Sequence, residues 1–127
     1  MEDKRCKQIA ETAFKQLFCS ITRDVYYSWG VSNKEYGMYE NMPTLMLKVS
    51  GAIFKGWVYI SLNDDKDMYE IRLVGNNRVE TIKKVTDIMF DIVGEIIDSL
   101  VERPSGMSDD EYYRIAMADS YFKIGEK

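Results

Sequence analysis

Cys6, Ile9, Ala10, Ala13, Phe14, Leu17, Phe18 and Ile21 recur at three- and four-residue steps, while Glu11 and Lys15 fall between them. That period lays one apolar stripe along a helix, predicting an N-terminal amphipathic helix of about 20 residues. Glu2 and Asp3 stand in its first turn, where the helix dipole favours acids. From Val25 the pattern shifts. Val25-Tyr-Tyr-Ser-Trp-Gly-Val31 is aromatic and β-branched, so it reads as a strand, and Asn33 to Pro43 reads as a loop. Leu45, Leu47 and Val49 then alternate with Met46, Lys48 and Ser50. Ser50-Gly51 signals a turn, and Trp57 to Leu62 is a second alternating run, with Gly56 marking a bulge.

After the polar turn Asn63 to Asp67, Tyr69, Ile71 and Leu73 predict another strand, closed by Gly75-Asn-Asn77. Residues 79–85 alternate as a last strand, although Val79, Ile82, Val85 and Met89 also fit helical spacing. A helix is expected from Thr86 to Arg103, with Ile88, Met89, Ile92, Val93, Ile96, Ile97, Leu100 and Val101 on its apolar face. Ser108-Asp-Asp-Glu111 opens a final helix to about Phe122. The order predicts one α+β domain over 1–127: an N-terminal helix, an antiparallel meander of four to five strands and two C-terminal helices. Phe14, Phe18, Ile60, Ile71, Ile96 and Leu100 are its expected common core.

Charge adds the clearest functional signal. Asp87, Asp91, Glu95, Asp98 and Glu102 are four, four, three and four residues apart, with no Lys or Arg between Lys84 and Arg103. On a continuous helix they would share one stripe, at a cost of roughly 0.2–0.5 kcal/mol per neighbouring like-charged pair. Such a stripe points to a docking surface for a basic protein partner. The whole chain carries a net charge of −4, with 13 basic and 11 acidic residues in 1–86 against 4 and 10 in 87–127. This balance argues against wholesale nucleic-acid binding.

Candidate chemistry is narrow. The 127 residues include no histidine, which removes Ser-His-Asp and Cys-His catalysis and the usual zinc ligand sets. Cys6 and Cys19 stand on one predicted helix about 20 Å apart, too far for a disulfide, so reduced thiols are expected. Asp64, Asp65 and Asp67 lack the spacing and central glycine of a calcium loop and read as a turn. No cofactor or metal motif stands out, and neither a secretory leader nor a membrane span is apparent, which places the expected address in the cytoplasm. A second surface is the outer sheet face, where Trp57 and Tyr59 with Lys48, Lys55 and Arg72 could stack and neutralise a nucleic acid.

Ser28-Trp29-Gly30-Val31, Val49-Ser-Gly51, Phe54-Lys-Gly56, Val58 to Asn63 and Tyr69-Glu-Ile71 resemble segments of small hypothetical proteins from Bacteroides-type gut bacteria. That resemblance covers residues 25 to about 100 and rests on turn glycines and strand residues. It implies a mobile-element or phage-like setting and supplies no catalytic residues. The sequence thus predicts a non-enzymatic interaction protein, with a nucleic-acid-binding module as the alternative.

Overall fold

A computed structural model describes residues 2–102. The helix expected near 108–122 lies outside them. Helix α1 spans Glu2–Leu17 and buries Cys6, Ala10, Ala13 and Leu17, the stripe its period predicted. It stops earlier than expected. The N–H groups of Phe18, Cys19 and Ser20 bond three residues back in a tightening last turn, and Cys19 is exposed beyond the helix end.

The Val25–Val31 segment is not a strand. It forms helix α2, Arg23–Ser28, capped by Thr22, whose hydroxyl accepts from the Val25 N–H at 3.3 Å. Aromatic and β-branched residues favour strands only where a sheet surface receives them. Here Val25, Ser28 and Trp29 share one helical face and are almost wholly buried. Gly30, at φ 63, supplies the left-handed step that ends the turn.

Five strands follow in chain order: β1 Asn33–Tyr39, β2 Met42–Ser50, β3 Lys55–Asn63, β4 Met68–Val74 and β5 Thr81–Ile88. All neighbours pair antiparallel, so the expected meander is present with five strands. Strand β1 occupies most of the segment read as a loop. Its side chains are largely exposed because it lies at the sheet edge, so hydrogen bonds to β2 define it rather than apolar alternation. Glu40 and Asn41, at φ 48 and 64, make the two-residue turn that joins them. Gly56 pairs with Val49 in unbroken register rather than in a bulge; the register shifts fall between β4 and β5. A side chain at Gly56 would stand 2.7 Å from the Val74 carbonyl oxygen.

The chain leaves β5 through a 3₁₀ turn, Phe90–Ile92, into α3, Val93–Val101. Leu45, Leu47, Val49, Val58, Ile60, Ile71 and Leu73 face the helices and form the main core. Ile60 and Ile71 are fully buried in it, while Phe14, Phe18, Ile96 and Leu100 pack half-buried at its margin. Gly94 seats α3 directly against the Leu17 carbonyl of α1, leaving no room for a side chain.

Tyr69 gives this core a pH signature. Its hydroxyl donates to Gln16 Oε1 at 2.6 Å, and burial, then Asp67, pushes the phenol up to about 12. The fold therefore favours the neutral phenol. That contribution is whole below the ordinary value near 10 and is lost as pH rises through about 12. Melting curves across this window should show the wild type losing stability faster than Tyr69→Phe. Parallel curves for the two proteins would contradict a shifted phenol.

Candidate functional site

The five acids do not share a helix face. A stripe from Asp87 to Glu102 requires one α-helix starting near Thr86, but the chain remains a strand to Ile88. Met89 is extended at φ −70, ψ 148, and the following 3₁₀ turn breaks the helical phase. Asp87 sits in β5 at φ 59 and pairs with Lys66 Nζ at 3.0 Å. The Asp87 hydrogen bond is also the main reason that the Lys66 amine is held above its ordinary pKa. Asp91, in the 3₁₀ turn, and Glu95, in the first turn of α3, are exposed.

Asp98 and Glu102 point inward, only 4% and 7% exposed. Asp98 Oδ1 accepts the indole N–H of Trp29 at 2.8 Å, and Glu102 Oε2 accepts the Ala52 N–H at 2.6 Å. Both carboxylates hold α3 to the rest of the fold. The Val101 carbonyl adds bonds from the N–H groups of Ile53 and Phe54 at 2.8 and 3.2 Å. The β2–β3 connection thus hangs on the last turn of α3.

The sheet's outer face departs from the second expectation. Lys48 does lie on it, opposite Trp57, but Trp57 and Tyr59 are each only 4% exposed. They join Met46, Val74 and Tyr39 in a second apolar cluster. Arg78, in the β4–β5 connection, folds back over this cluster with its guanidinium 3.9 Å from the Trp57 ring centroid. It donates to the Tyr59 hydroxyl at 2.9 Å and Glu35 at 3.0 Å. The Tyr59 bond above all, with Glu35 in a lesser part, holds the guanidinium above its usual pKa against the opposing effect of burial.

Arg72 is likewise enclosed, donating to Glu70 at 3.0 Å, while Lys55 is exposed at the start of β3. The rings are therefore covered and the three basic residues are dispersed in environment. Among the described residues, the face offers no open stacking platform. Arg78 escaped the sequence reading because its only local signal was a position just after the Gly75-Asn-Asn turn.

No protein-family model, curated protein or solved structure matches the chain.

One exposed surface does combine apolar and acidic groups. Met89, Phe90 and Ile92 are 47%, 49% and 38% exposed around Asp91, and Glu95 follows within one turn. The sequence reading had put Met89 and Ile92 on a buried helix face. The 3₁₀ turn that takes the place of the expected first helical turns leaves them exposed. Among the described residues, no helix is long and apolar enough to cross a membrane.

The Trp29–Asp98 contact is the point at which the acidic segment can be tested as structure. Trp29→Phe keeps the apolar ring but leaves a buried carboxylate without its indole donor. Urea unfolding should show a loss of about 1.5–3 kcal/mol, the usual worth of a hydrogen bond to a charged group. A change within about 0.5 kcal/mol, as for an ordinary surface substitution, would show that this contact does not hold α3.

Proposed function

We propose that this is a non-enzymatic interaction protein whose docking surface is the 3₁₀ turn between β5 and α3. Phe90, half-exposed between Met89 and Ile92, is the apolar centre, and Asp91 and Glu95 are its acidic rim. The observation that carries this reading is the clustering of three exposed large apolar side chains within four consecutive residues. Contiguous exposed apolar surface with a polar rim marks protein contact sites more often than scattered apolar residues do. The rim carries negative charge, so the matching partner is a protein surface with an apolar knob and basic flanks. Asp87 is already engaged by Lys66, and Asp98 and Glu102 serve the fold, which leaves two of the five acids for recognition.

Phe90→Ser and the double change Asp91→Lys with Glu95→Lys separate the two contributions. Neither should lower the melting temperature appreciably, because all three positions are exposed. Phe90→Ser should abolish capture of the native partner at every salt concentration. Charge reversal should also abolish capture, and wild-type association should weaken with salt as exposed charges are screened beyond about 8 Å. Capture that survives both variants would refute the proposed surface.

A further inference from the structure

Helix α1 and the edge strand β1 leave an open groove of about 310 Å³ between them. That is the small end of the range usual for ligand clefts, about 300–1,000 Å³. Ala10, Phe14 and Leu45 form its apolar floor. Ala10 and Phe14 are four residues apart and so share a face of α1. The space that the Phe14 ring takes in one turn is left open by the Ala10 methyl in the turn before. Three cations line the same groove, Lys7 and Lys15 from α1 and Lys34 from β1. Lys34 Nζ lies 4.0 Å from the Phe14 ring centroid, so its ammonium rests against the apolar floor. Among the described residues, none of the three lysines takes part in an ion pair.

The acids of the groove do not cancel this charge. Glu11 stands between Lys7 and Lys15, four residues from each. Glu35 is opposite Met46 on the outer sheet face, where its carboxylate accepts from Arg78 at 3.0 Å. Lys34 and Tyr36, opposite Leu47 and Leu45 of the main core, face α1 instead. In a chain of net charge −4, this groove is basic. Its chemistry restricts the occupant from two sides. A ligand that is polar all round would leave the floor uncovered, and a neutral apolar one would bury the Lys34 ammonium without a counter-charge. We propose that the groove binds a small amphiphilic carboxylate. Its apolar body covers Ala10, Phe14 and Leu45, and its carboxylate pairs with Lys34 and one of the α1 lysines.

Calorimetric titration of the full chain with naphthoate and with decanoate, both at millimolar concentration, tests the assignment. Saturable binding of at least one is expected, and the preferred acid tells a flat aromatic body from a flexible acyl chain. The corresponding alcohol lacks the charge and acetate lacks the apolar body. Each should bind at least about tenfold more weakly, the effect of losing one charge-assisted contact or its apolar equivalent. Lys34→Gln, at an exposed position, should keep the melting temperature and weaken binding about tenfold. Lys55→Gln, at an exposed lysine outside the groove, should leave affinity unchanged. Three results would overturn the proposal. The first is no saturable binding of either acid, and the second is an alcohol that binds as tightly as its acid. The third is equal affinity in Lys34→Gln and Lys55→Gln.

Discussion

The indole of Trp29 and the carboxylate of Asp98 meet out of water, and the helical layer is organised around that hydrogen bond. A carboxyl group withdrawn from solvent is tolerated only where hydrogen-bond partners surround it. Asp98 therefore fixes the rotation of α3 as well as its position. With Asp98 inward, Gly94 meets the Leu17 carbonyl, Val93, Ile97 and Val101 enter the core, and Glu95 is left outside. The same indole residue accepts the Ser50 N–H through its backbone carbonyl at 2.8 Å, tying the end of β2 to the end of α2. One residue thus joins α2, β2 and α3.

The opposite face of the sheet is organised by cation–π contact and ion pairing instead. Arg78 and Arg72 reach Glu35 and Glu40, which belong to β1 and its turn. In a flat sheet β1 and β4 would stand about 14 Å apart. A long guanidinium and a carboxylate together bridge that distance, and with Arg78 and Tyr39 against them Trp57 and Tyr59 become the floor of a small second core.

Much of the architecture was legible in the residues. Leu45, Leu47 and Val49, and Val58, Ile60 and Leu62, alternate because one sheet face is apolar, and alternation survives any tertiary context. Two elements were hidden for opposite reasons. The Val25 to Trp29 segment has strand composition, but the Thr22 cap and the burial of Trp29 outweigh that weak preference. Strand β1 has little apolar signal because edge hydrogen bonds, rather than a buried face, hold it. The candidate site was legible only in part. The four-residue spacing of Asp87, Asp91 and Glu95 carries no information once a strand end and a 3₁₀ turn separate them. Nothing in composition tells Asp98 and Glu102, buried ties, from Asp91 and Glu95, exposed rim.

Sheet order equal to chain order has a consequence for assembly. Every strand pair closes through a short connection, so the meander can grow hairpin by hairpin with little loop-closure entropy at each step. The Trp29–Asp98 hydrogen bond, by contrast, joins residues 69 positions apart. Its closure carries a large entropic cost and becomes favourable only when the intervening sheet has already shortened the distance. The helical layer is thereby made conditional on the sheet, and the contact that locks the native state is among the last that the chain can form.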